Sequence, residues 1–283
     1  VEQVKILNCV IDNMSQATLL EKLKFGGVVY LPNVDHVINL QKDREFYQSY
    51  QAANYIICDS QILMYAAKIL GTPLVEKISG ADLFPEYYQD HKDDPEVTIF
   101  LLGANDEICI TAQNKINQKV GREMVVGYYC PDFGFEKSET ESQKIIDLIN
   151  QSGATVLAVG VSAPKREKWI FKYKNRFKNI KTFFAIGATI NFESGHSKRA
   201  PKWMCNVGLE WLHRLLSEPK RLWRRYLVED LPFFWLLLLQ KLKLYKDPFV
   251  GDKTIQIVPS PSELYLVPGE KSKAKPVTLG GGK

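Results

Sequence analysis

The chain contains no CxxC cysteine spacing, no GxxxxGK[ST] or GxGxxG glycine loop, and no two aspartates standing two positions apart. Without the first, the five cysteines, Cys9, Cys58, Cys109, Cys130 and Cys205, read as reduced thiols in apolar runs of a cytosolic protein. Without the second, neither a P-loop nor a dinucleotide fingerprint is available to cradle phosphate. Without the third, no DxD pair can hold a divalent metal against a nucleotide diphosphate, so neither a metal nor a cofactor is expected. Asp93 and Asp94, in the polar loop DHKDDPE, read as solvated. Long apolar runs are also missing: the longest, residues 231–239, is interrupted by Pro232, whereas a bilayer-spanning helix needs about 20 apolar residues. The opening residues VEQVKILNCVID read as a strand, not as a charged region followed by an apolar one, so no signal peptide is expected. There is no internal repeat.

What the chain does have is a concentration of cations. Its formal charge of +5 is mild, but between Lys198 and Arg225 stand Lys198, Arg199, Lys202, Arg214, Lys220, Arg221, Arg224 and Arg225 against only Glu210 and Glu218. Trp203, Trp211 and Trp223 are interleaved among them. A solvated basic face would be diluted with Glu and would not carry tryptophans, so the block predicts a polyanionic partner, either phosphates or an anionic membrane surface. Nucleic acid is disfavoured, because acids elsewhere nearly balance the charge and no nucleic-acid motif appears.

Apolar β-rich runs alternate with helical periodicity up to about residue 190, which predicts an α/β fold with a Rossmann-like, mostly parallel sheet flanked by helices. Strands are expected at 28–32, 55–58, 97–102, 124–129, 155–161 and 182–186. Helices are expected at 15–23, 34–41, 62–70, 107–119, 138–151, 165–175 and 207–216, with Ser138 and Glu141 matching a capping box. The α/β core is placed at residues 1–195 and a basic, aromatic helical appendage at 196–247. Residues 248–283, rich in Pro, Ser, Lys and Gly and ending in LGGGK, read as a disordered tail.

In an open α/β sheet ligands bind outside the carboxyl ends of the strands. That rim should carry Asn33, Asp59, Gly103, Gly160 and Gly187. Asp59, closing the run YIICD, either caps the helix that follows or serves as a general base for a hydroxyl; the local pattern does not decide. Asn33 and Asp35 hold the equivalent place one strand earlier. Asn33 either caps the next helix or offers donor and acceptor to a sugar hydroxyl, and His36 reads as a packed or surface histidine. In GVSAPKREKW (residues 160–169) a helix start with Lys165 just inside it is either an anion site or an ordinary surface helix start. The LLGAN turn at residues 101–105 is a weaker signal. Without a metal, a departing diphosphate would depend on protein cations and helix dipoles, and the arginines of residues 214–225 are the supply.

Taken in order, PN, CDS, ISGAD, LLGA, GYY, APKREKW, GAT-NF-SG-KRAP and GLEWLHRLL-EPKRLWRRY make the chain resemble the WecG/TagA/CpsF family of bacterial glycosyltransferases over about residues 5–245. The resemblance implies inverting, metal-independent transfer of a hexose-type sugar (N-acetylmannosamine, its uronic acid, or glucose). The donor would be a UDP-sugar and the acceptor a polyprenyl-diphosphate-linked saccharide at the cytoplasmic membrane face, for cell-surface polysaccharide. By position, Asp59 resembles the catalytic base and Asn33 a sugar contact. Gly160, Gly187 and Asn191 fall at the UDP pocket, and Arg214, Arg221 and Arg224 resemble the appendage arginines that assist the diphosphate. Asp35, Gly103, Tyr128, Lys165, Arg166 and Arg199 complete the expected substrate-binding set. Leu31, Ser60, Arg166 and Asn191 replace the family's usual Thr, Gly, Gln and Asp, so the sugar stays open. The competing expectation is a non-catalytic UDP-sugar or anionic-lipid binding module of the same fold, and a homo-oligomer is compatible with either.

Overall fold

In the computed structural model, which describes residues 2–250, the expected single N-terminal strand is a hairpin. Strands β1 (Gln3–Ile6) and β2 (Cys9–Asp12) pair antiparallel. After helix α1 (Gln16–Leu23) come the strands of one six-stranded sheet: β3 (Gly27–Tyr30), β4 (Tyr55–Ile56), β5 (Ile99–Gly103), β6 (Val125–Tyr129), β7 (Val156–Gly160) and β8 (Thr182–Ala185). All pairings are parallel, in the order β4-β3-β8-β7-β5-β6. This is the expected α/β class, and the six expected strands are its six strands.

A parallel sheet must be covered on both faces, and strand side chains alternate between two cores. Val28, Tyr30, Leu102 and Val159 point to one core. There they meet Val37 of α2 (Val34–Asn39), Phe46 of α3 (Arg44–Gln51), Ile145 of α7 (Glu139–Ser152) and Trp169 of α8 (Lys165–Tyr173). Val29, Leu31, Leu101 and Ala158 point to the other. Its cover is Leu19 of α1, Phe84 of α5 (Gly80–Asp90), Ile116 of α6 (Asp106–Val120) and Ile190 of α9 (Thr189–Ser194).

Helices α3 and α5 were not expected. Pro85 stands inside α5, and an internal proline removes a hydrogen bond and normally argues against a helix. Burial of Leu83, Phe84, Tyr87 and Tyr88 holds it nonetheless. Ser138 caps α7 by accepting from the Glu141 amide.

Helix α4 (Gln61–Leu70) follows β4. The C-terminal appendage comprises α10 (Lys202–Val207), α11 (Glu210–Ser217), α12 (Pro219–Arg224), one turn of π-helix (Arg225–Glu229) and α13 (Pro232–Lys241). The helix expected at 207–216 is broken because Gly208, at φ 82°, ends α10 in the left-handed conformation. Helix α13 splits the apolar run between core and surface. Phe233 and Leu237 are buried against the core, while Phe234, Trp235 and Leu238 face outward. Gln240 fixes the helix by accepting from the Leu7 amide at 2.7 Å and donating to the Lys5 carbonyl at 2.9 Å. Among the described residues no helix is long and apolar enough to cross a membrane. The expectation of a disordered tail falls, from residue 251 onward, outside the described residues.

Gly103 and Gly160 are register partners on β5 and β7. Gly103 has φ 120°, and a Cβ there would stand 2.9 Å from the Gly160 carbonyl carbon. Gly121 also has positive φ, at 75°, but open space around it. Gly103→Ala is therefore expected to cost at least about 2–3 kcal/mol of stability, against about 1 kcal/mol for Gly121→Ala. Urea unfolding of the two variants checks the difference.

Candidate active site

The rim holds the residues that the strand ends predict. Asn33 follows β3, Asp59 follows β4, Gly103 and Gly160 end β5 and β7, and Gly187 follows β8. Local hydrogen bonding decides the alternatives left open at two of them. The cap of α4 is Ser60, whose Oγ accepts from the Leu63 amide at 3.4 Å, so Asp59 is not spent on capping. Asn33 does cap, its Oδ1 accepting from the His36 amide at 3.2 Å, yet it also lines the cavity described next. His36 is buried and its Nδ1 lies 2.6 Å from the Tyr50 hydroxyl.

A cavity of about 270 Å³ opens between this part of the rim and the appendage. It brings together Asn33, Asp35 and Asp59 from the core with Arg214 from α11. Burial, reinforced by the nearby Glu210 carboxylate, pushes Asp59 up to about 7, against the opposing pull of Arg214, Lys77 and Arg199. Arg214 donates to Glu210 at 2.8 Å. At the other end of the cavity Arg225 Nη2 lies 3.0 Å from Asp35 Oδ2. Burial raises Asp35 too, with Arg225 working in the opposite direction. The chemistry this permits is proton transfer: a carboxylate poised near neutrality takes a proton more readily than an ordinary one.

Other expected residues lie elsewhere. Arg221 and Arg224 stand outside the cavity, paired to Glu218 at 2.5 Å and to Glu229 at 3.2 Å with largely exposed side chains. Arg225, in the cationic block but not among the arginines singled out by the resemblance, is the one that accompanies Arg214 inside. Gly160, Gly187 and Arg166 form a second group around the ends of β7 and β8. Gly160 abuts Ile190 and the Gly187 carbonyl, and a Cβ on Gly187 would strike Arg166. Arg166 donates to the Val161 carbonyl at 3.1 Å. Lys165 is tied to Glu136 at 3.0 Å and lies over the exposed Phe133 ring. Tyr128 packs against the α6-side core, and Asn191 is a half-buried residue of α9. Arg199 bonds Asp82 and the Ser79 hydroxyl, fastening the start of the appendage to α5. Leu31, expected near the reacting sugars, is instead buried beneath Gly80, because its side chain points into the α5-side core.

Lys77, Glu210, Tyr226 and Asp230 also line the cavity and were not singled out as site residues. The signal for Glu210 was available: it is one of only two acids in the cationic block. Among the described residues no group of three or more His, Cys, Asp or Glu side chains can hold a metal.

A parallel α/β sheet with a near-neutral carboxylate on its rim and arginine helices over it suits transfer of a group from an anionic donor, the chemistry of a glycosyltransferase among others. The chain belongs to the glycosyl transferase WecG/TagA/CpsF family, whose model matches residues 4–247. It is similar to the N-acetylglucosaminyldiphosphoundecaprenol N-acetyl-beta-D-mannosaminyltransferase of Bacillus subtilis (strain 168), 27% identical over 220 residues, covering 78% of this chain and 82% of that protein. The protein of the same name from Bacillus spizizenii (strain ATCC 23059 / NRRL B-14472 / W23) is 26% identical over 212 residues, covering 75% and 79%.

The raised value of Asp59 has a stability consequence. A carboxyl whose folded value exceeds its unfolded one binds more protons when folded, so stability falls as pH rises from about 4 toward about 7. Asp59→Asn removes this cost. The variant is expected to be the more stable protein at pH 8, by at most about 4 kcal/mol, and to lose that advantage below about pH 4. Melting curves across pH check the crossover.

Proposed function

We propose that this chain transfers a hexose-type sugar, with inversion, from a UDP-sugar to a saccharide carried on a lipid diphosphate at the cytoplasmic face of the membrane. The observation that carries the reading is the half-buried Asp59 carboxylate, which lines the cavity together with Glu210 and Arg214 and is pushed up to about 7. In the proposed step the acceptor hydroxyl oxygen attacks the anomeric carbon from the face opposite the diphosphate. As that bond forms, the bond from the anomeric carbon to the diphosphate oxygen breaks, and the hydroxyl proton passes to Asp59. The nucleoside diphosphate departs as an anion, its charge met by the protein's own cations. Arg214, Arg225 and Lys77 line the cavity and are the nearest supply. The relatives' names include a lipid-diphosphate acceptor, N-acetylglucosaminyldiphosphoundecaprenol, which supports the acceptor class. A binding module would not need a carboxylate held near neutrality, so turnover is the favoured reading.

The membrane side of the proposal rests on the outer surface of the appendage. Leu227, Leu231 and Phe234 line the cavity and are also about half exposed. Trp235, Leu238 and Leu242 continue that apolar surface. Arg221, Arg224 and Lys243 lie in the same segment, the arrangement that suits an interfacial helix on anionic headgroups.

Two experiments test this reading. Asp59→Asn is expected to lower turnover by at least about 100-fold while UDP affinity stays near that of the parent, and the rising limb of kcat/KM near pH 7 should disappear; excess EDTA should leave parental transfer intact. Near-normal turnover in the variant, or transfer that a chelator stops and Mn²⁺ restores, would sink it. For the membrane surface, the Phe234→Ser, Trp235→Ser double variant is expected to melt like the parent but to sediment with anionic vesicles at least about tenfold less. Phe233→Ala, on the inner face, should instead lose about 3–5 kcal/mol of stability.

A further inference from the structure

Arg225 and Asp230 sit at the two ends of the π-helical turn, joined by the hydrogen bond from the Asp230 amide to the Arg225 carbonyl at 2.9 Å. Such a turn inserts one residue relative to an α-helix and is retained mostly at functional sites. Here the insertion lets both residues, with Asp35, line the cavity. Asp230 is only 8% exposed, and its Oδ1 is buried with no hydrogen-bond partner. Arg225 Nε is likewise buried and unpaired, although its Nη2 reaches Asp35. The charges acting on Asp230 are Asp35, Arg225, Glu229 and Lys42, whereas those acting on Asp59 are Glu210, Arg214, Lys77 and Arg199. The two carboxylates thus answer to different sets of charges, Asp59 to those around Arg214 and Asp230 to those around Arg225.

A buried acceptor and a buried donor left unpaired carry a desolvation cost that folding does not recover. That cost is recovered when a bound ligand supplies the partners, and polar groups so placed discriminate strongly against ligands lacking the matching hydroxyl or amide. The cavity, of about 270 Å³, is roomy enough to admit a sugar ring beside these groups. We propose that Asp230, which lines the cavity with the Arg225–Asp35 pair, is a specificity residue that accepts a hydrogen bond from the acceptor sugar, at a hydroxyl or acetamide other than the hydroxyl activated by Asp59. This rests on the reading that the cavity takes a sugar carried on a lipid diphosphate.

The test uses the full chain and two probes, a short-chain lipid diphosphate bearing N-acetylglucosamine and the same lipid diphosphate without sugar, with binding measured by calorimetry. In the parent the sugar is expected to strengthen binding at least about tenfold, and in Asp230→Ala that increment should shrink to less than about threefold. The bare lipid diphosphate should bind both proteins alike, and the melting temperature of Asp230→Ala should equal or exceed the parent's. Where the alanine variant does not fold, the near-isosteric Asp230→Asn carries the test, with the increment reduced by a smaller factor. An equal increment in parent and variant, no increment in the parent, or an equal loss for both probes would overturn the assignment. A parallel transfer assay on the parent separates the two claims, since a sugar increment that depends on Asp230 without any transfer would leave this inference standing and sink the enzymatic reading.

Discussion

The edge strand β4 is the constraint from which the site follows. It is two residues long and pairs only with β3, so its outer side would present unsatisfied backbone groups. The N-terminal hairpin covers that side, with Asp12 Oδ2 accepting from the Ile56 amide at 2.9 Å. The carboxyl end of the same strand delivers Asp59 to the rim, and there the C-terminal helices supply the missing wall. Helix α13 reaches across to hold the hairpin through Gln240 and to bond the Ile69 carbonyl at the end of α4 through Lys241 at 2.6 Å. One edge is thereby closed by the hairpin and α13, and the cavity lies beside that closure.

The sheet was legible in the sequence because burial on both faces writes long apolar runs, and because each rim residue marks where such a run stops. Asp59, Asn33 and Asp35 were legible for the same reason. What the sequence could not disclose was which polar group serves the backbone and which stays available. CDS offers two capping residues in a row, and only the hydrogen bond from Leu63 to Ser60 assigns the cap. The hidden helices have equally specific causes. Pro85 disguises α5, and the π-helical turn that begins at Arg225 sets Asp230 five residues further on, so that both line the cavity while the preceding Arg224 faces outward. No periodicity argument based on 3.6 residues per turn anticipates a five-residue spacing on one wall.

Composition also overstated the free positive charge of the appendage. Arg199 is held by Asp82, Arg214 by Glu210, Arg221 by Glu218, Arg224 by Glu229 and Arg225 by Asp35. These pairs differ in consequence. Those of Arg221 and Arg224 are exposed, where an ion pair contributes little and yields readily to a competing anion or to salt. Those of Arg214 and Arg225 stand at the cavity, where each cation also governs a carboxylate with a raised proton affinity. An arriving phosphate would therefore compete with Glu210 for Arg214. Any weakening of that pair alters the field at Asp59, so that anion binding and proton affinity at this site are electrostatically linked.

The same geometry relates the cavity to a surface. Leu227, Leu231 and Phe234 belong at once to the cavity wall and to the exposed apolar face, and the buried Phe233 and Leu237 anchor the helix that presents part of that face. A hydrocarbon chain attached to a polar head can lie along the apolar residues while its head enters among the charged ones, without any apolar group having to cross water. The inner face of α13 cannot release from the core to insert more deeply without exposing Phe233 and Leu237, a cost of several kcal/mol. If the proposed membrane contact forms, insertion is thereby limited to the outer side chains, which would keep the mouth of the cavity near the level of the headgroups. The proposed peripheral pose would then owe its fixed depth to the way one short helix divides its apolar residues between core and surface.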